Sequence, residues 1–362
     1  MRSLFYYTAQ GWSGSARAFA VAARGLAARG EPVTVVCCAD SPAEQSFARE
    51  GIEVVTLPPG GSVAGDAWRL RNVLRERFVE VVFLHTEREQ LVASSAMRMA
   101  ERGAIIRRIP AGQIATNGRA SQLSARFASS RLLFSIEGDR ARSPGAQGEF
   151  VAPLGVDVTK VDGIRASART SLGVDMDTQL IVCVTAGLAR VRAGTALRTL
   201  ALLASRHPDM RLALVGPGAD HEDVHMHAAA LGVSPLVHFL GERDDLPIVL
   251  AAADVGWVAA DGDDAAFACL DFMAARVPII SERSSLVAHY VPDGIAGVLL
   301  PPADPSDTAA TVASFLAHGD QRDAMGRAGR TRAQRDFAEE AMIDGFGAAA
   351  NAAGDRASWA AR

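Results

Sequence analysis

The sequence predicts an α/β protein made of two halves, each a parallel sheet with helices packed on it. Three observations predict this. Short apolar, β-branched runs alternate with stretches of helical periodicity along the chain. The alternation restarts after a polar segment between Pro153 and Gln179. A chain of 362 residues also exceeds what one ordinary hydrophobic core serves, so two domains are expected.

The elements follow in order. Ser3 to Thr8 reads as a first strand, Ala16 to Arg29 as a helix stopped by Gly30. Val33–Cys38, Ile52–Leu57, Val79–Leu84 and Ala104–Ile109 are apolar runs of strand length, suited to a sheet buried on both faces. In the second half, Gln179–Thr185, Arg211–Gly216, Leu236–Leu240, Asp254–Ala259 and Pro278–Ser281 read as strands. Thr195–Ser205, His221–Leu231, Leu246–Ala252 and Ala265–Ala275 read as the helices between them, and the chain is helical from Asp307 onward. Strand-helix alternation of this kind makes two Rossmann-like domains. The expected division is 1–155, 156–335, and a C-terminal helix, 336–362, packing back on the N-terminal domain.

Composition narrows the function. Hydrophobic residues make up 49% and charged residues 22%, a soluble globular balance, and the net charge of -4 argues against a dominant nucleic-acid footprint. Cys37, Cys38, Cys183 and Cys269 lack zinc spacing and sit in or beside apolar runs, so they read as buried free thiols of a reducing compartment. The apolar run at Met1–Tyr7 is too short for a signal peptide, and no run reaches transmembrane length. Lys160 is the only lysine, so choosing arginine over lysine carries little information here.

Ligands of open α/β sheets bind at the carboxyl ends of the strands, so the loops after Thr8, Leu84, Thr185, Gly216, Leu240 and Ala260 are the candidates. The first holds Gly11-Trp12-Ser13-Gly14-Ser15 directly before a helix. Small residues there admit an anion to backbone N–H groups, and they equally suit a plain strand-to-helix turn. His85 follows a buried strand, placed for acid–base work or polar recognition, or held by adjacent carboxylates. The segment Val255–Ala274 runs from a strand through an acidic loop into a helix. Asp263 or Asp264 is the expected N-cap, the following amides at Asp264 and Ala265 suit a diphosphate, and Asp271 two turns on can accept from vicinal sugar hydroxyls. His221, His225 and His227 fall on a helix whose solvated face explains them better than a metal does, and Glu87-Arg88-Glu89 reads as a solvated face.

These residues carry a family resemblance. Phe150–Asp157, Leu214-Val215-Gly216-Pro217-Gly218, Val237–Gly241, Ala252–Val255, Asp271–Pro278 and Tyr290–Gly297 resemble, in order and spacing, the motifs of the retaining GT-B glycosyltransferases often called family 4. The match covers about 150 residues of the C-terminal half. The GWSGS loop and Val82-Phe83-Leu84-His85 resemble the family more loosely. The resemblance implies two Rossmann-like domains facing across a cleft and a UDP-, GDP- or ADP-sugar donor, with no metal or other cofactor. It implies a glycan, lipid or small-molecule acceptor and retention at the transferred sugar. It further implies a bacterial cytoplasmic enzyme of envelope or polysaccharide biosynthesis, peripheral at the inner membrane face in some members.

Residue by residue, the resemblance puts Asp263 at the transferred sugar and Asp271 at the ribose, where the family has two glutamates. It puts Gly216 and Gly241 at donor-side strand ends, with Gly241, Glu242 and Arg243 along the base, and Gly14 and His85 at the acceptor side. Strict spacing sets Leu188 and Ala193 at the family's two basic positions; Arg190 and Arg192 lie close by and can take over the diphosphate. Asp264 and Ala266 replace glycines, and His289 replaces a glutamate. These departures motivate an alternative, a GT-B-like protein that binds a sugar nucleotide or a partner without turnover. A nicotinamide-dependent dehydrogenase lacks its G-x-G-x-x-G loop.

Overall fold

The computed structural model describes residues 1–116, 118–186, 189–301 and 304–354, and of 189 and 190 the backbone only. The chain divides into two compact units, Met1–Leu154 with the stretch from Glu339 onward, and Gly155–Ala338.

The strands of the first unit are β1 (Ser3–Tyr6), β2 (Val33–Cys38), β3 (Val54–Leu57), β4 (Val81–Leu84), β5 (Ala104–Ile109), β6 (Ser130–Phe134) and β7 (Phe150–Val151). They pair in the order β3-β2-β1-β4-β5-β6-β7, and every pairing is parallel. Its helices are α1 (Gly14–Ala28), α2 (Pro42–Arg49), α3 (Val63–Glu76), α4 (Glu87–Ala100), α5 (Arg119–Ser124) and α6 (Glu137–Arg142). Parallel neighbours require crossovers, and the helices supply them. The sheet is covered on both faces, so β1 and β4 are buried at every position.

The second unit opens with α7 (Arg165–Ser171) and carries β8 (Gln179–Thr185), α8 (Ala189–Leu203), β9 (Met210–Val215), α9 (Glu222–Ala230), β10 (Val237–Gly241), α10 (Leu246–Ala251), β11 (Val255–Ala259), α11 (Gly262–Ala274), β12 (Ile279–Glu282), α12 (Ser285–Tyr290), β13 (Gly297–Leu300), α13 (Pro305–Ala317) and α14 (Gly319–Asp336). Its sheet, β10-β9-β8-β11-β12-β13, is again wholly parallel. The core side chains of α8, α9 and α13 pack on the inner strands. Phe267 and Phe272 of α11 are buried, worth about 1.5–3 kcal/mol each. Phe272 lies so close to β11 that a Cβ on Gly256 would stand 2.6 Å from its ring, which is why that strand carries a glycine.

The last helix, α15 (Glu339–Gly354), belongs to the first unit. Phe346 packs on Phe83 and Phe5, with ring centroids 5.2 and 6.1 Å apart, and Glu339 and Asp344 pair with Arg24 and Arg29 of α1 at 2.6 and 2.7 Å.

Several boundaries differ from the sequence expectations. β1 ends at Tyr6 because the Thr8 N–H is taken by Glu89 rather than by a neighbouring strand. α8 begins at Ala189, not Thr195: the internal Gly194 costs about 1 kcal/mol against alanine and does not stop the helix. α11 begins at Gly262, so its N-cap is Asp261 and not Asp263 or Asp264, which occupy the first turn. The strands β6, β7 and β13 are added at one edge of each sheet.

Candidate functional site

In both sheets the order of strands reverses at one place. In the first unit this switch lies between β1 and β4, in the second between β8 and β11. Crevices at such switch points, outside the carboxyl ends of the strands, are where open α/β sheets hold ligands. Gly14, His85, Arg192, Asp263 and Asp264 follow these four strands, and Gly216, Gly241, Glu242 and Arg243 follow the neighbouring β9 and β10.

At the switch of the second unit, Arg192 on the second turn of α8 reaches across both strand ends. Its guanidinium donates to the Ala186 carbonyl at 3.3 Å, to the Ala259 carbonyl at 3.1 Å, and pairs with Asp261 at the start of α11. The Arg190 side chain, with residues 187 and 188, lies outside the described residues. Asp263 and Asp271 are both buried, on one helix and eight residues apart. That spacing is about 12 Å along the helix axis, the order of length of a diphosphate with a sugar at each end. Asp264 is half-buried and Ala265 buried in the same first turn, where the amides of a helix N-terminus favour an anion.

The neighbouring strand ends are built by glycine. The backbone of Gly216 has φ +123°, its N–H donates to the Gly241 carbonyl at 2.7 Å, and a Cβ there would fall 1.9 Å from the Thr185 carbonyl oxygen. No other residue fits that approach. Gly241 is followed by the exposed Glu242 and by Arg243, whose guanidinium is turned onto Asp245 through two bonds of 2.8 and 2.7 Å. The hydrogen-bonded Arg243 holds the Asp245 carboxyl below its ordinary range. A cavity of 180 Å³ is lined by Arg192, Trp257, Asp261, Ser281, Glu282 and Arg283, among others.

At the switch of the first unit, Gly14 opens α1 behind its N-cap Ser13, whose hydroxyl accepts from the Ala16 N–H at 3.4 Å. The Tyr7 hydroxyl donates to the Gly11 carbonyl at 2.9 Å and lies 3.0 Å from the Ser13 hydroxyl, so the loop is held from beneath. His85 stacks on Tyr7, with centroids 5.1 Å apart and planes 13° apart, and meets Phe19 edge-on.

Glu89 is the residue that sequence reasoning misplaced. It is fully buried, not part of a solvated face. Its carboxylate accepts from the Thr8 N–H at 2.7 Å and hydroxyl at 2.9 Å, and from the N–H groups of His85 and Thr86 at 3.0 Å each. The signal was present: Thr86 and Glu89 form a capping box, the T-x-x-E pattern of a helix start. Burial pushes the Glu89 carboxyl up, but the His85 ring and the backbone donors of His85 and Thr86 outweigh it, and the group sits below its ordinary value.

The remaining candidates serve structure. His221 caps α9 by accepting from the Asp223 N–H, and His225 stacks on Phe239 at 3.8 Å. Among the described residues no group of three or more His, Cys, Asp or Glu could hold a metal ion. His289 meets Tyr290 and Phe337 edge-on. The four cysteines are free and buried, and burial raises every thiol, Cys37 to about 12.

Two doubly wound parallel sheets with this strand order define the GT-B fold, and comparison with solved structures agrees. The chain superposes on the Anabaena protein Alr3699/HepE in complex with UDP-glucose with a TM-score of 0.79 and 18% identity, covering 97% of this chain and all of that one. Residues 165–332 match the family described as glycosyl transferases group 1. Among curated proteins, the chain is 27% identical over 171 residues to the lipopolysaccharide core biosynthesis glycosyltransferase LpsE of Rhizobium meliloti (strain 1021), covering 47% of this chain and 50% of that protein. It is 27% identical over 321 residues to the GDP-mannose-dependent alpha-(1-6)-phosphatidylinositol monomannoside mannosyltransferase of Mycolicibacterium smegmatis, covering 79% of this chain and 81% of that protein. The chain spans about half the length of the curated relatives it matches first. No helix among the described residues is long and apolar enough to cross a membrane.

Proposed function

We propose that this protein is a glycosyltransferase that moves a sugar from a nucleoside-diphosphate sugar to a glycan, lipid or small-molecule acceptor, with retention. The observation that carries this reading is the switch point of the second unit, where Arg192 pairs with Asp261, the N-cap of the helix that carries the buried Asp263 and Asp271. Positive charge and helix amides there would meet the negative charge that grows on a departing diphosphate, the term that dominates this kind of catalysis. Asp263 would orient the transferred sugar and Asp271 the ribose. Gly241, Glu242 and Arg243 would flank the base, Gly216 would line the donor side at the neighbouring strand end, and Arg190 would share the diphosphate with Arg192. His85 and the Gly14 loop would face the acceptor. The donor class is supported by relatives whose names carry UDP-glucose and GDP-mannose. The name of LpsE, a lipopolysaccharide core biosynthesis glycosyltransferase, supports a place in envelope or polysaccharide synthesis. The reaction needs no metal.

A second reading, sugar-nucleotide binding without turnover, is favoured by one contact: Arg192 is already paired with Asp261. Incubation with UDP-, GDP- and ADP-sugars, followed by nucleotide release and thermal shift, separates the two. Release with an acceptor pool is expected. Stabilisation without release establishes the second reading, and no stabilisation by any nucleotide refutes both.

A further inference from the structure

We infer that Glu89 is a positioning residue that holds His85 by its Nδ1 in the tautomer that leaves Nε2 for the ligand. The inference rests on the proposed role of His85 at the acceptor side.

The geometry comes from two strands and two helices. Glu89 sits in the first turn of α4, directly behind the end of β4, and its side chain is wholly buried. Four donors converge on the carboxylate from Thr8, His85 and Thr86, and these fix its position before the imidazole is considered. One of its oxygens then lies 2.9 Å from His85 Nδ1. The ring nitrogen is buried and has no other acceptor among the described residues, and the oxygen stands off the ideal N–H direction, so the contact is close but bent. Tyr7 covers one face of the imidazole and Phe19 meets its edge, which leaves little freedom for the ring to turn elsewhere. The groups facing it from β1 and α1 are thus aromatic, and the carboxylate comes from α4 alone among the described residues.

A buried anion beside one ring nitrogen decides where the proton sits. A neutral imidazole carries one N–H, and the nitrogen beside a carboxylate is the one that keeps it. Nδ1–H toward Glu89 makes Nε2 the lone-pair nitrogen, able to accept from an acceptor or sugar hydroxyl. The arrangement follows the general logic of a base oriented by a third group. Unlike an ordinary capping-box glutamate, which serves only the helix start, this one also binds Thr8, just past the end of β1. A single carboxylate therefore ties the His85 ring to the end of β1, whose Tyr7 holds the Gly11–Ser13 turn.

The test reads the ring and the turnover separately. In nitrogen-15 imidazole spectra of the full chain, with His85→Gln identifying the resonance, we expect the Nδ1–H tautomer of His85. An Nε2–H tautomer overturns the inference, and this readout needs no variant of Glu89 that folds. In sugar transfer, Glu89→Gln is expected to lower kcat about a hundredfold, the cost of a group displaced by about 1 Å, with donor KM unchanged. Added to His85→Ala, it should cost almost nothing more. Losses that multiply overturn the inference, because they show Glu89 acting only on the scaffold. Full turnover by His85→Ala with the Nδ1–H tautomer present overturns the proposed role of His85 and leaves the orientation by Glu89 standing.

Discussion

The Arg192–Asp261 pair makes a quantitative prediction about donor binding. Replacing Asp261 by Asn removes the anion that now occupies Arg192. The two side chains are unequally exposed, 23% for Arg192 and 75% for Asp261, so the pair is largely solvated and worth about 0–1 kcal/mol. Asp261 makes no side-chain cap bond to α11, so the helix loses only the favourable charge at its N-terminus, about 0.3–1 kcal/mol. Stability should therefore fall by about 1 kcal/mol, or about 2–4 °C in Tm. A nucleoside diphosphate no longer has to displace the carboxylate. Returning up to about 1 kcal/mol to binding tightens UDP or GDP by about fivefold. Arg192→Ala should act oppositely, weakening binding about tenfold or more through loss of charged hydrogen bonds. Isothermal titration at low and high salt measures both, with the Asp261→Asn gain shrinking as salt rises. If Asp261→Asn leaves affinity unchanged or weaker at low salt, and Arg192→Ala binds as well as the parent, Arg192 does not contact the diphosphate.

Other consequences follow from buried charge. Asp254 receives Arg165 at 2.7 Å, the almost wholly buried Arg169 at 3.3 Å, and the Leu180 N–H at 2.8 Å; Asp254→Ala should cost about 3 kcal/mol by taking the carboxylate from the buried Arg169 charge, which keeps only its bonds to backbone carbonyls of Ala252, Asp175 and Thr178, read by urea unfolding. Glu89 has a folded-state carboxyl below its ordinary value of 4.5, so it stabilises the fold above that pH, and this contribution is lost as pH falls through the lower folded value. Urea midpoints between pH 7 and pH 3 should therefore fall more steeply for the parent than for Glu89→Gln; equal slopes would contradict the assignment. All four thiols should resist an aromatic disulfide reagent at pH 8 in the folded chain and react together on unfolding, since burial keeps each protonated.

The fold was legible wherever a strand is central. β2, β5 and β8 keep the bounds read from their apolar, β-branched runs, because strands buried on both faces are predominantly apolar, and even the Arg107-Arg108 pair in β5 is flanked by isoleucines that carry the signal. The edge strands β7 and β13, and β6 next to the edge, were not legible, since runs of two to five residues with part-exposed side chains carry no period. The GWSGS loop, His85, the Asp261–Asp264 turn and the Arg192 loop could each be picked from the chain as strand-end segments. That they stand in pairs at two switch points is a property of strand order, β1 beside β4 and β8 beside β11, which no local pattern encodes.

Burial and partnership of charged residues required tertiary structure for the same reason. Glu87-Arg88-Glu89 is polar in sequence, yet Glu89 is buried because donors at Thr8, 81 residues away, close around it. Arg192 meets Asp261 across 69 residues because parallel pairing of β8 with β11 brings their carboxyl ends together. The chain thus announces the two sheets through local hydrophobic runs. Which charges are held ready, and which are already spent on each other, is settled only when distant strand ends become neighbours.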